Sequence, residues 1–536
     1  MNAAPTRAGT PAGAGGASVN PWLIAVLVAL AAFMEVLDTT VANVLINYIA
    51  GGLAVSEDEA SWVVTTYLVA NAVSLTASSY LTRRFGRKTF FLACLGLFTA
   101  SSVACAYAWS LDSMLLFRII QGLGGGGMVP VAQSILADSF PPEKRGQGFA
   151  LFGVAVVVAP IVGPTLGGWL ADNITWRWAF LINGPVGLIT IALIALLVRE
   201  PKPDAPQRGR RPPQQEGGFD LPGFILVSTF LGALEVVLDR GLEDDWFGSS
   251  FIVLATIVCA LAFVLMIPWE VSRRNPMIDL RMIATRQFGT CFAVMLATGT
   301  VLYGTTQFLP RLVQEDFGYT ATWAGLVLAP GGFVTMVMFV IVGRISTKIQ
   351  AKHLIMVGAV FSAVAMYVLV NVYGDLSFWF FAQTRVWLGI GLPLIFTPII
   401  TASYDGLPPG KTDQASAMLN AARNTGGSIG ISLVSNALWD REQFHQNMLV
   451  DQTVPSSIPY QNALHQVTNY FMAQGSSSAE AHQQAVQWIG GQVQTQASFL
   501  GYMDAFWLLM LISLAMVPLA LALRKVKLGG PAPMGH

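Results

Sequence analysis

The chain has 536 residues, of which 54% are hydrophobic and only 11% charged, with a formal net charge of zero and a mean hydropathy of +0.57. A soluble protein of this length would carry about twice that charge fraction, so an ordinary water-soluble enzyme is excluded. The zero balance gives no electrostatic case for a nucleic-acid partner.

The Gly/Ala/Pro/Ser/Thr-rich segment 1–20 reads as a disordered N-terminus. Apolar runs of about 20 residues then recur along the chain. They predict helices at 22–48, 59–81, 88–109, 112–136, 147–170, 177–198, 219–239, 249–269, 287–310, 321–343, 353–373, 376–402, 412–436 and 499–523. An even number of spans puts both termini on one side. Arg83, Arg84, Arg87 and Lys88, then Lys144 and Arg145, fall on the terminal side, as do Arg273, Arg286, Arg344 and Lys525. The alternate loops offer only Arg177, Arg240, Arg311 and Arg441. This bias predicts cytoplasmic termini. The pattern divides the chain into a first six-helix half (21–198), a Pro/Arg/Gln-rich linker (199–218) and two inserted helices (219–270). A second six-helix half (287–525) and a tail (526–536) follow. The second half includes a polar segment, 440–498, almost free of Lys and Arg. Its ends keep helical periodicity, and it reads as an external hairpin that prolongs the last two helices, a solvated loop being the competing reading.

Charges inside a bilayer cost about 2.5–3.5 kcal/mol or more each, so those that persist usually line a cavity. The first helix carries Glu35 and Asp38 three apart, with Asn43 further out. The fourth carries Arg118, Gln121 and Gly122. At 1.5 Å per residue, Asp38 lies about 15 Å and Arg118 about 9 Å from the outer ends of their helices, so an ion pair is geometrically possible. A carboxylate in such a site can exchange a proton, which is what proton coupling needs; a static pair that only locks helices is the alternative. Glu35 either faces a cationic substrate or reaches along the cavity wall. Gly124 to Gly127 permit close approach or local unwinding, and no strand or Gly-Lys-Ser/Thr makes them a phosphate loop. In the fifth helix Ala155, Ala159, Gly163 and Gly167 recur every fourth residue, making a small-residue stripe on a helix bent by Pro160 and Pro164. The seventh helix carries Glu235 and Asp239, the latter expected at the interface with Arg240. Arg385 and Arg423, each near a predicted helix end, are given structural roles. Asn424 joins Glu35, Asn43, Gln121 and Glu235 as a candidate substrate contact, in a cavity expected to be lined by bulky apolar residues and methionines. Cys94, Cys105, Cys259 and Cys291 lack metal-ligand spacing, as do His445, His465 and His482; no metal or cofactor is expected beyond a proton gradient.

These residues resemble a known family over nearly the full length: the fourteen-helix drug:proton antiporters of the major facilitator superfamily, most of all those of EmrB type. Leu37-Asp38-Thr39-Thr40-Val41-Ala42-Asn43-Val44 is similar to the family's first-helix motif. Leu115-x-x-Arg118-x-x-Gln121-Gly122-x-Gly124 is similar to its fourth-helix motif. Gly153-x(6)-Pro160-x-x-Gly163-Pro164-x-x-Gly167-Gly168 resembles the antiporter motif. Trp176 to Gly187, Arg423 to Gly430 and Leu238-Asp239-Arg240-Gly241 with Asp245-Trp246-Phe247 are also similar to family stretches. The resemblance implies an all-α membrane protein with a major facilitator fold, two six-helix halves plus two inserted helices. It implies an inner-membrane exporter of amphipathic compounds in which Asp38 carries the proton and Arg118 assists it. It also implies a periplasmic membrane-fusion adaptor and an outer-membrane channel as partners. A dedicated metabolite or siderophore exporter, or a transport-inactive receptor or scaffold, are the alternatives. The loop after the second helix departs from the family pattern: Ser79 stands for its first glycine and Arg83 for its aspartate. Gly86 and Arg87 remain, with a gating role implied for them as for the antiporter motif. Glu35 stands where a neutral residue is expected.

Overall fold

A computed structural model describes residues 20–141, 144–198, 219–273, 276–407 and 411–525. The linker 199–218, the tail 526–536 and all but the last residue of segment 1–20 lie outside the described residues.

Asn20 starts the first helix by accepting the Trp22 amide, with Pro21 at the first turn where its missing donor costs nothing. The first half runs α1 (Pro21–Val44), α2 (Ile46–Leu53), α3 (Glu57–Phe85), α4 (Arg87–Ala106), α5 (Leu111–Gly125), α6 (Met128–Ser139), α7 (Arg145–Asn173), α8 (Trp178–Leu181) and α9 (Asn183–Leu197). The inserted pair is α10 (Leu221–Arg240) and α11 (Ser250–Ser272). The second half is α12 (Leu280–Ile283), α13 (Arg286–Glu315), α14 (Ala321–Ile345), α15 (Ala351–Leu369), α16 (Phe378–Ser403), α17 (Thr412–Gln452), α18 (Ile458–Ala473) and α19 (Ser478–Leu521). Reciprocal Ser/Glu capping boxes at Ser56–Glu59 and Ser477–Glu480 fix where α3 and α19 begin.

Among the described residues, 13 helices are long and apolar enough to cross a membrane. The remaining span of the fourteen expected is α17. It is long enough, but Asp413, Gln414, Asn420, Arg423 and Asn424 make it polar. Three expected spans are interrupted. The first breaks at Leu45 between α1 and α2, the fourth at Gly126 and Gly127 between α5 and α6, and the sixth at Ile182 between α8 and α9.

The packing repeats between halves. Contacts of α1 with α7, α3 with α5 and α4 with α5 recur as α13 with α17, α14 with α16 and α15 with α16. The halves meet where α7 crosses α14 and α16, and where α17 crosses α3 and α6. The inserted α10 lies against α3 and α17, covering that second seam. Tight glycine contacts set these approaches. A Cβ on Gly124 would stand 2.6 Å from the Phe98 amide nitrogen, and one on Gly122 2.5 Å from the Tyr67 carbonyl, so α5 presses on both α3 and α4. On α7 the small residues serve two partners. Gly163 and Gly167 face Thr40 and Val41 of α1, while Gly153 faces the Phe339 ring of α14. Gly168 is buried on the same helix.

Segment 440–498 is helical over most of its length and contains one helix more than a simple hairpin. At 1.5 Å per residue, α17 and α19 run about 60 and 66 Å, roughly twice the hydrocarbon core of a bilayer. α18 packs along α19 beyond the bundle. The pair is pinned near its base by Asp504, which accepts from His445 at 2.9 Å and lies 3.3 Å from the Arg441 guanidinium.

Candidate functional site

Four helices bring one polar cluster together inside the first half. Arg118 donates through Nη1 to Asp38 Oδ2 at 2.5 Å and to Gln121 Oε1 at 2.9 Å, and through Nε to the Val63 carbonyl at 2.9 Å. Its guanidinium lies 4.3 Å from the centre of the Tyr67 ring. The other carboxylate oxygen of Asp38 accepts from Gln121 Nε2 at 2.9 Å and Asn183 Nδ2 at 3.0 Å. Both charged side chains are fully buried. A buried pair is tolerable only when its remaining lone pairs and protons are satisfied, and Gln121 and Asn183 meet most of that need. Gln121, expected to touch substrate, is therefore engaged with the ion pair instead. The i, i+3 spacing from Arg118 aims its amide at Asp38 rather than at open space.

The ion pair sits behind the wall of a narrow central cavity of about 70 Å³. α1 contributes Glu35 and Asn43; α3 contributes Tyr67 and Asn71. α10 contributes Glu235, α13 contributes Tyr303, and α17 contributes Arg423, Asn424 and Ser428. Glu35, Asn43, Glu235 and Asn424 are thus brought together as expected substrate contacts. Leu68, Leu75, Leu231 and Ile431 supply the expected bulky apolar wall between these polar groups; the aromatic residues are Tyr67 and Tyr303, and no described methionine lines the cavity, which corrects that part of the expectation. Asn71 donates to Glu35 Oε1 at 2.9 Å, and Ser428 donates to Glu235 Oε2 at 2.5 Å.

Arg423, expected to have a structural role near a helix end, lines the cavity instead. It lies eleven residues from the start of α17, as deep as the predicted helix 412–436 already placed it. Asn71, Asn183 and Ser428 were missed: uncharged polar residues are common on membrane helices, and only the fold shows which of them meet a carboxylate. Arg385 is likewise buried, donating to the Thr305 carbonyl at 2.9 Å. Arg240, expected at the interface, is buried against α3. It lies 5.0 Å from the Trp62 ring and donates to the Asp58 carbonyl at 3.1 Å, while Thr65 donates to Asp239.

The cavity continues toward the end of the bundle opposite the termini. A second space of about 470 Å³ shares Thr40, Asn43, Tyr303 and Ile431 with it, and is walled by Pro160, Pro164, Glu57, Asp58, Glu243 and Glu315. Burial pushes the Glu243 carboxyl up, against the pull of Arg240. Toward the terminal end the halves close on each other. Arg87, held by the left-handed Gly86 (φ 86°), reaches Asp413 Oδ1 of α17 at 3.0 Å and also pairs with Asp138. Ser416 and Asn420 both donate to Gln133 Oε1, at 2.6 and 2.8 Å. An inter-half ion pair thus forms although Arg83 replaces the loop aspartate. Among the described residues, no group of His, Cys, Asp and Glu could hold a metal ion.

A polar chamber between two pseudo-equivalent helical halves, open to one end of the bundle and shut at the other, is what carrying a solute across a bilayer requires. The molecule is a multi-pass membrane transporter of small molecules. The family model of the Major Facilitator Superfamily matches residues 28–431. The multidrug export protein EmrB of Escherichia coli is 34% identical over 488 residues, which cover 91% of this chain and 92% of that protein. The fatty acid resistance protein FarB of Neisseria gonorrhoeae is 33% identical over 492 residues, covering 91% and 93%. A solved structure of the proton:xylose symporter XylE superposes with a TM-score of 0.56 at 15% identity, covering 93% of this chain and 96% of that one, a likeness of fold. The chain belongs to the Major Facilitator Superfamily and is of the EmrB type; it is a transporter and not an enzyme.

Proposed function

We propose that this protein exports amphipathic small molecules in exchange for protons, across an inner membrane with both termini in the cytoplasm. The observation that carries the reading is the Asp38–Arg118 pair, fully buried and directly behind the wall of the central cavity. A carboxylate there changes protonation only if its surroundings change, and rocking of the halves is such a change. In the arrangement described, a proton from the outer vestibule reaches the cavity past Asn43. Protonation of Asp38 weakens its hold on Arg118, the halves rock, and the proton leaves inward as the pair reforms. Substrate enters the cavity from the cytoplasmic side when the Arg87–Asp413 contact opens, and leaves through the vestibule.

The names of the relatives support export of drugs or fatty acids. The basic residues clustered at the terminal end support cytoplasmic termini. A periplasmic membrane-fusion adaptor and an outer-membrane channel are proposed as partners, with the extension of α17, α18 and α19 as the docking surface. Trp439, Phe444, Ile458, Tyr470 and Trp488 are exposed there, and exposed aromatic and apolar side chains beyond the bilayer favour a protein partner. The test of coupling is uptake of an amphipathic dye into liposomes with an acidic interior. Dye accumulation that requires the gradient and the Asp38 carboxylate is expected; accumulation indifferent to the gradient would overturn it.

A further inference from the structure

The central cavity holds two buried, oppositely charged side chains that leave one atom each unsatisfied. Glu35 is 5% exposed and Arg423 2%. Among the described residues, Glu35 Oε2 and Arg423 Nη1 have no hydrogen-bond partner. Each side chain is otherwise held in place. Glu35 Oε1 accepts from Asn71 at 2.9 Å and from the Tyr67 hydroxyl at 3.5 Å. Arg423 donates through Nε and Nη2 to Asn424 Oδ1, at 3.3 and 3.0 Å. The two charges line the same cavity and act on each other across it, with no direct salt bridge between them among the described residues. The other cavity carboxylate, Glu235, is already engaged by Ser428 at 2.5 Å.

We infer that this is a two-pole recognition site, in which Arg423 Nη1 takes the acidic group of a substrate and Glu35 Oε2 takes a cationic amine. The substrate class is an amphipath that carries a carboxylate and an amine on one apolar body. A buried charge left unpaired is costly, and a ligand that supplies its counter-charge recovers that cost. One that supplies both recovers it twice. The guanidinium presents its free N–H in a plane fixed by Asn424, which suits a carboxylate better than a flexible ammonium would. Singly charged amphipaths then use one pole each: acids depend on Arg423, and cations on Glu35. For its identity as a transport site this assignment rests on the export reading above.

The experiment uses three fluorescent probes with the same aromatic body, bearing an amine, a carboxylate or both. Their half-saturating concentrations are measured for the full-length protein in liposomes with an acidic interior. Their equilibrium binding is measured separately in detergent without a gradient. The zwitterionic probe is expected to bind most tightly. Arg423→Gln raises the half-saturating concentration of the acidic and zwitterionic probes about tenfold or more, the worth of a charge-assisted hydrogen bond, and leaves the cationic probe within about twofold. Glu35→Gln does the reverse, weakening the cationic and zwitterionic probes and sparing the acidic one. Arg423→Lys, which keeps the charge, recovers part of the acidic-probe binding and guards against misfolding of the glutamine variant. Equal losses for all three probes in both variants, or no change in either, would overturn the two-pole site. Should the wild type move none of the probes while binding them with the expected charge selectivity, the export reading fails and the two-pole site stands.

Discussion

At the scale of single residues the molecule is organised by what a buried charge requires. Asp38 and Arg118 hold each other, and Gln121 and Asn183 complete the carboxylate's shell. Removing one partner leaves the other buried and uncompensated, a loss of about 3–5 kcal/mol. Arg118→Leu should therefore lower the thermal unfolding temperature of the purified protein strongly, and adding Asp38→Leu to it should restore part of the loss. A double variant no more stable than Arg118→Leu alone would argue against the pair as the source. Asn183→Ala removes one donor while keeping the pair. It is expected to lower the melting temperature by less than Arg118→Leu does and to slow gradient-driven uptake, since a hydrogen bond to a charged group contributes about 1.5–3 kcal/mol. Asp38 and Arg118 were legible in the sequence because a charge in an apolar run is conspicuous. Asn183 stood inside a quoted motif with no role attached, and nothing local marks an asparagine as a carboxylate's donor. Arg423 was misjudged although the predicted helix 412–436 already put it mid-span; which face of that helix meets the cavity is a tertiary fact.

At the scale of elements, small residues decide how helices meet. A side chain on Gly163 would collide with Thr40, whereas one on Gly96 meets nothing within 4 Å. Gly163→Val is expected to destabilise the protein by about 1–3 kcal/mol through overpacking and to abolish uptake. Gly96→Ala should stay within about 0.5 kcal/mol of wild type. Parallel melting curves and uptake rates check both. The stripe on α7 was readable from its fourfold spacing. That it faces α1 at Gly163 and Gly167 but α14 at Gly153 was not, because the positions of both neighbours are tertiary facts. The extension was readable in part. Its helical periodicity at 489–500 survives in α19; the start of α18, with Ser457 as N-cap and Pro459 in the first turn, reads in the sequence as a turn. Replacing residues 453–477 with a short turn should leave uptake in liposomes intact. Loss of uptake in that variant would give the extension a part in transport itself rather than in docking.

At the scale of the whole molecule, the two halves touch firmly at the terminal end and part at the other. Arg87, Asp138 and Asp413 form the closing contact, with Gln133, Ser416 and Asn420 beside it. Neutralising Asp413 should shift the population toward opening at that end. In a chain whose four native cysteines are replaced, Ser416→Cys is expected to react with a water-soluble thiol reagent several-fold faster when Asp413→Asn is added, and an unchanged rate would count against this gate. The expected number of spans and the proposed side of the termini rest on hydropathy and basic loops, which report on the bilayer. Which end is open does not follow from any of those signals, because one sequence serves every state of the rocking cycle.

The central claim is that protonation of Asp38 couples substrate to the gradient. The most direct measurement is uptake of a fluorescent amphipathic dye into liposomes with an acidic interior by wild type and Asp38→Asn, each shown to be folded and to bind the dye. The account predicts gradient-dependent accumulation by wild type, with only binding left in the variant. Equal gradient-driven accumulation by both would contradict it and remove Asp38 from the coupling mechanism.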